Sequence, residues 1–194
     1  EQLFDVRVVV RRGLQYLFAR AALRTLLALP IALLVFSIVS NPNRTVILGP
    51  AQRNGIGGLD HLELPANDRN IIATVHYDNP FAFTHQGTPW TAQKEKLGVT
   101  WTGTEGEVKV MEQELAKVSA WAKQNNRPIY IGEFGAYEKA DLPSRIRWTA
   151  SVARAFEQQG WSWGYWQFAD NFAVFDMRTQ QWVTPIRDAL IPKK

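Results

Sequence analysis

The sequence predicts an α/β fold built on a parallel sheet. Three observations carry that expectation: short apolar runs rich in β-branched residues, amphipathic helical patterns between them, and turn signals at the junctions. Strands that alternate with helices form right-handed βαβ units, and their sheet is either open or closed into a barrel.

The elements follow in order. TVILG (Thr45 to Gly49) is the first strand and ends at Gly49-Pro50. NGIGG (Asn54 to Gly58) reads as a loop, with one helical turn expected between Leu59 and Leu64. IIATVH (Ile71 to His76), bounded by Asn70 and by Asn79-Pro80, is the second strand. Val108, Met111, Leu115, Val118 and Ala122 recur at i, i+3, i+4 and i+7 spacing, which predicts an amphipathic helix over 105–125. IYIGEFG (Ile129 to Gly135) follows Asn126-Arg127-Pro128 as the third strand. Asp141 and Pro143 open a further helix with Pro143 at its first position, a stripe of Ile146, Ala150, Val152 and Phe156, and Gly160 at C′. SWGYWQF (Ser162 to Phe168) is the fourth strand, and a short helix lies near Pro185 to Leu190. The first three strands are mostly apolar, as strands covered on both faces of a parallel sheet are.

Composition narrows the function classes. With 194 residues, 46% of them apolar, and eight Trp, the chain is one globular domain or one domain with an appendage. It has no Cys, which excludes disulfides, thiolate metal sites and a cysteine nucleophile. The net charge of +4 comes mostly from residues 1–40, where five Arg stand against Glu1 and Asp5, so the remainder carries about +1 and no nucleic-acid footprint. That segment also holds TLLALPIALLVFSIVS (Thr25 to Ser40) behind its arginines. It reads as a buried helix, since a membrane span needs about 20 apolar residues. The alternatives are a membrane anchor and a stretch translated out of frame from a GC-rich gene.

No nucleotide or metal motif is present. NGIGG is not G-x-G-x-x-G, and His61, His76 and His85 lack metal-ligand spacing, so no cofactor and no metal are expected. Instead, polar and aromatic residues cluster at the C-terminal ends of the strands: His76 and Tyr77 close the second, Glu133 the third, and Trp166 the fourth. In a barrel that edge carries the chemistry. Trp161, Trp163 and Trp166 alternate faces along one strand and cannot all point inward. Indole faces stack on sugar rings, and a carboxylate beside an anomeric carbon can act as a nucleophile in a retaining mechanism.

HYDNPFAFTHQGTPW (His76 to Trp90), RPIYIGEFGAYEKAD (Arg127 to Asp141), SWGYWQFADNFAVFD (Ser162 to Asp176) and WVTPIRDALIP (Trp182 to Pro192) together resemble the C-terminal half of cellulases of glycoside hydrolase family 5. NPNRTVILGP and LPANDRNIIATVHY are similar to its fifth and sixth strand regions, so the resemblance runs over about residues 41–192. It implies a partial (β/α)8 TIM barrel, strands five to eight with a preceding helix, as one domain over 41–194 after an atypical segment 1–40. It also implies a secreted or periplasmic endo-β-1,4-glucanase acting on β-glucan or cello-oligosaccharide. Glu133 matches the catalytic nucleophile, His76 a histidine of the cleft, Trp166 the sugar platform, and the segment around His85 and Trp90 the rim; Tyr77 joins the expected binding residues.

Two departures accompany the resemblance. Family members read His-Tyr-Tyr where this chain has His76-Tyr77-Asp78, so Asp78 takes the place of a tyrosine that hydrogen-bonds the nucleophile, while Tyr77 points to the other face. The family's acid/base glutamate lies in an Asn-Glu-Pro motif, which does not occur here; Asp78, Glu138 and Asp170 are conceivable substitutes. Four strands against the eight of a full barrel leave an open edge, and completion by a second copy is expected. Three readings therefore stand: a glucanase, a carbohydrate-binding remnant with little turnover, and a membrane-tethered protein.

Overall fold

The computed structural model describes residues 44–193. A boundary between two compact units falls at Arg44/Thr45, and the second unit, Thr45–Lys194, is the one described below. The expectations for residues 1–40 (buried helix, anchor, out-of-frame stretch) lie outside the described residues.

Strands β1 (Val46–Leu48), β2 (Ile71–His76), β3 (Ile129–Glu133) and β4 (Ser162–Trp163) form one sheet in the order β1-β2-β3-β4, each pair parallel. Parallel neighbours need crossover connections. After β1 a 3-10 turn spans Ile56–His61; after β2 come the single turn α1 (Phe81–Thr84) and the long helix α2 (Glu105–Asn125). Helix α3 (Leu142–Gln158) joins β3 to β4. A small antiparallel hairpin, β5 (Phe175–Asp176) and β6 (Gln181–Trp182), then leads into α4 (Thr184–Leu190), which packs on α3.

The caps explain the helix limits. Thr104 accepts from the Glu107 amide at 3.3 Å while its own amide donates to Glu107 Oε2 at 2.8 Å, a reciprocal capping box that starts α2. Asn126, in the left-handed region at φ 50°, ends it. Asp141 Oδ1 accepts from the Ser144 amide at 2.9 Å at the start of α3, and Gly160, at φ 72°, follows its end as expected.

Several boundaries differ from the sequence expectation. Pro143 is the second residue of α3, because Leu142 already has helical geometry. The buried face of α3 is Ser144, Arg145, Trp148, Thr149, Val152, Ala153 and Phe156, with Ile146 and Ala150 only half-buried. Two large aromatic rings set that rotation, and Arg145 tolerates burial because its Nε donates to the Ala136 carbonyl at 3.2 Å. The expected turn at 59–64 begins earlier, at Ile56. The fourth strand stops at Trp163: beyond it, only the Gly164 and Trp166 amides donate to β3-side carbonyls, at 2.8 and 2.9 Å, without closing a ladder.

The core lies between the sheet and its helices. Ala73, Val75, Ile129 and Ile131 meet Met111, Leu115 and Val118 of α2 and Trp148, Val152 and Phe156 of α3, all buried. Trp148, 1% exposed, is the centre of an aromatic group with Tyr77 stacked at 6.4 Å and Phe83 and Phe134 tilted at 6.2 Å. Removing the cap of α2 tests the local account: Thr104→Ala should cost about 1 kcal/mol of unfolding free energy in urea, with the m-value unchanged.

Candidate active site

Because all four strands are parallel, their C-terminal ends open on the same side. There a cavity of about 830 Å³ is lined by residues from the ends of β2 and β3, the turn after β1, the segment after β2 and the segment after β4. Ligand sites of parallel α/β structures lie on this edge.

The register of β2 on β3 builds its floor. Val75 pairs with Ile131, but a shift between Val75 and His76 pairs His76 with Glu133, so the two polar side chains meet. His76 Nδ1 lies 3.4 Å from Glu133 Oε2, and Asn54 Nδ2 donates to His76 Nε2 at 3.1 Å. Asn54 as donor leaves the proton on Nδ1, facing the carboxylate. Burial lowers the His76 pKa, with Glu133 acting the other way. The glycines around Glu133 have separate reasons. A Cβ on Gly132 would lie 2.7 Å from Thr74 Oγ1 and 3.0 Å from His76 Nε2, and one on Gly135 would lie 1.9 Å from the Trp166 carbonyl oxygen. Their absence lets the imidazole and the Trp166 backbone come in from either side.

Asn54 reaches His76 through an unusual backbone. Gln52, Arg53 and Asn54 are all left-handed, with φ 61°, 58° and 56°. This conformation costs about 1–2 kcal/mol per non-glycine residue, and three in succession beside a cavity are of the kind found at functional sites. The turn also brings Arg53 over the Phe81 ring at 5.9 Å and into the charge environment of Asp78 and His85.

The other residues singled out in the sequence divide into two groups. Trp166, 44% exposed, and Trp90, 59% exposed, stand on the cavity wall, Trp90 edge-on to Tyr137 at 5.7 Å. His85 is stacked on Phe81 at 4.1 Å, with Phe172 at 5.4 Å and Thr84 Oγ1 2.9 Å from its Nδ1. Tyr77, by contrast, is 2% exposed: its ring is in the core and its hydroxyl donates to Glu114 Oε2 at 2.8 Å. Burial, and then Glu114, push that hydroxyl far above its ordinary pKa. Of the carboxyls considered as acid substitutes, Asp78 and Asp170 line the cavity, whereas Glu138 lies in a separate depression with Asp176 and Arg178. Asn54, Arg53 and Glu114 escaped the sequence reading; the only signal was the asparagine of NGIGG, and Glu114 looks like any polar position on a helix. Among the described residues no three His, Asp or Glu side chains are grouped to hold a metal ion.

Comparison with known proteins gives the arrangement its relatives. The family described as cellulase, glycosyl hydrolase family 5, matches residues 39–172. Endoglucanase H of Acetivibrio thermocellus is 32% identical over 157 residues, covering 78% of this chain and 16% of that protein. Cel5A of Thermotoga maritima, solved in complex with cellobiose, is 45% identical at a TM-score of 0.74, covering 76% of this chain and 48% of the other. The Clostridial cellulose synthase subunit Z of Clostridioides difficile is 34% identical at a TM-score of 0.75, covering 78% and 50%. The chain thus spans about half the length of these solved relatives and a smaller share of the curated one.

The environment of His85 has a measurable consequence. Burial, and secondarily the Arg53 cation, push its pKa down from 6.5 to about 4. Between those values the unfolded chain holds a proton that the folded one does not, so His85 makes stability fall as pH drops from 6.5 towards 4. His85→Gln should remove that contribution: urea midpoints should favour the variant more at pH 4.5 than at pH 7, and a difference that ignores pH would exclude it.

Proposed function

The chain belongs to glycosyl hydrolase family 5, the cellulase family, and from that premise we propose that β1 to β4 are strands five to eight of a (β/α)8 barrel whose cleft hydrolyses β-1,4-glucan with Glu133 as nucleophile. The observation that carries this reading is the pairing of Glu133 with His76 at the C-terminal strand edge, under two exposed tryptophans. The order of four consecutive parallel strands supports the barrel assignment, as does a match to solved relatives over about half their length.

The roles follow from chemistry. In a retaining mechanism an ionised carboxylate attacks the anomeric carbon while a second carboxylic acid protonates the departing oxygen; water then releases the glycosyl group. Glu133 is the attacking group. His76, with Nδ1 3.4 Å from Oε2, steadies the carboxylate. Trp166 offers an indole face to a pyranose ring, and Trp90 borders the cleft. Tyr77 borders the cavity with a buried ring and donates its hydroxyl to Glu114, so it supports the wall on which a sugar would lie. A polymeric glucan cannot cross a membrane, which supports a secreted or periplasmic location; no helix among the described residues is long and apolar enough to cross one. The two exposed tryptophans also favour a second reading, in which the cleft binds cello-oligosaccharide with little turnover.

Reducing-sugar release from carboxymethyl cellulose separates these readings. Glu133→Gln should lower the rate at least about a hundredfold; equal rates would remove the nucleophile assignment, and cello-oligosaccharide binding without release by either chain would support the binding reading. Trp166→Ala should raise KM about two- to thirteenfold, the roughly 0.5–1.5 kcal/mol of an aromatic contact. In β1, Ile47 and Leu48 are 53% and 39% exposed, which supports self-association through this edge. Light scattering at micromolar concentration should report a dimer, and a sharply monomeric species would count against it.

A further inference from the structure

The turn after β1 is a detour from the sheet. Leu48 pairs with Ala73, so an unbroken register would set Ala51 opposite His76, three residues further on in each strand. Gly55 makes that bridge instead, and the four residues Ala51 to Asn54 are looped out between the strand and its return. Bulges beside active sites commonly re-aim a side chain. Within this one Gln52, Arg53 and Asn54 take left-handed backbone, at φ 61°, 58° and 56°, which non-glycine residues keep only where their surroundings impose it.

The detour delivers one side chain to the back of the site. Gln52, Arg53 and Gly55 line the cavity; Asn54 between them does not, and is half-buried, with Nδ2 3.1 Å from His76 Nε2. The other end of its amide is seated against β1, where a Cβ on Gly49 would lie 2.3 Å from Asn54 Oδ1. Gly49 thus makes room for Asn54 as Gly132 does for the His76 ring. Burial favours the neutral imidazole. An amide NH2 facing Nε2 requires a lone pair there, so the ring proton sits on Nδ1, 3.4 Å from Glu133 Oε2. The opposite tautomer would turn a lone pair towards the carboxylate and repel it.

We propose that Asn54 is a positioning residue for Glu133 that acts through His76: the looped-out turn holds its amide on Nε2, which fixes the imidazole as the Nδ1–H tautomer and aims that N–H at the carboxylate. The partner on one ring nitrogen of a histidine decides which nitrogen carries the proton. Exchanging the donor at Nε2 for a group that only accepts therefore reverses the demand on the ring without touching Glu133 or the sugar-facing wall. The inference rests on the reading of Glu133 as nucleophile, but the His76 tautomer can be observed without turnover.

The test is nitrogen-15 NMR of the His76 ring at neutral pH on the full chain, beside Asn54→Asp and Asn54→Gly; aspartate tolerates the left-handed backbone and glycine adopts it without strain. In the natural chain Nδ1 should carry the proton and Nε2 none. In Asn54→Asp, whose carboxylate only accepts, Nε2 should become protonated. A protonated Nε2 in the natural chain, or a His76 spectrum unchanged in Asn54→Asp, overturns the proposal. Where a variant does not fold, the position of the proton on the natural ring decides alone. In cello-oligosaccharide hydrolysis both variants should lower kcat about tenfold, the order of one hydrogen bond, with KM within about twofold because Asn54 does not line the cavity. A rise in KM at unchanged kcat would make Asn54 a binding residue and overturn the proposal too. The expected ring spectra without sugar release by any chain would leave the Asn54–His76 placement standing and sink the nucleophile reading.

Discussion

The register shift between Val75 and His76 is the constraint on which the site depends. In a regular parallel ladder His76 would pair with Gly132, and Glu133 with the residue after the strand. The shift puts His76 opposite Glu133 instead, and the backbone records it: the Tyr77 amide donates to the Glu133 carbonyl at 2.9 Å. Room for the pair then comes from glycine on either side. A Cβ on Gly132 would crowd Thr74 and the imidazole, and one on Gly135 would collide with the Trp166 carbonyl. The cavity edge is thus fixed by backbone geometry first and by side-chain chemistry second.

The helical layer is tied to that edge through a few polar contacts rather than through packing alone. Trp148 fills the core with its ring and spends its one N–H on the Asn79 carbonyl, while Glu114 reaches the same segment from α2. These contacts span the core and the rim of the cavity, so loosening either helix would displace the residues after β2. Where members of such a network are shielded from water, as the Trp148 N–H and the Tyr77 hydroxyl are in part, leaving one unpaired carries a desolvation cost.

Much of this was legible in the sequence. The apolar runs ending in His76 and Glu133 reflect strands covered on both faces, and Asp141 and Gly160 mark helix ends by local backbone chemistry that sequence encodes directly. The glycines of IGEFG announced close approach without saying what approaches. Harder to read were features set by tertiary context. Which face of α3 is buried depends on where Trp148 finds partners, not on the periodicity of Ile146 and Ala150. The left-handed run at Gln52, Arg53 and Asn54 has no glycine in it, so composition gives no warning. The fourth strand looked longer because Tyr165 and Phe168 are good strand residues; after Trp163 too few hydrogen bonds to β3 remain to sustain it. Glu114 acquires its role only through the fold, 35 residues from Asn79 in the chain.

The electrostatics of the cavity argue for the kind of ligand it takes. Both histidines of the lining are shifted by burial towards neutrality, and so is the Asp78 carboxyl. The lining thus combines these near-neutral groups and two exposed tryptophans with charged residues of both signs, Arg53, Asp60, Glu114, Lys117, Glu133 and Asp170. A neutral polyol with an apolar C–H face and many hydroxyls satisfies the tryptophans and the polar groups together. On the proposed reading, charge that develops at a sugar's anomeric carbon during bond cleavage would meet the Glu133 carboxylate, in surroundings that burial has made less polar than water.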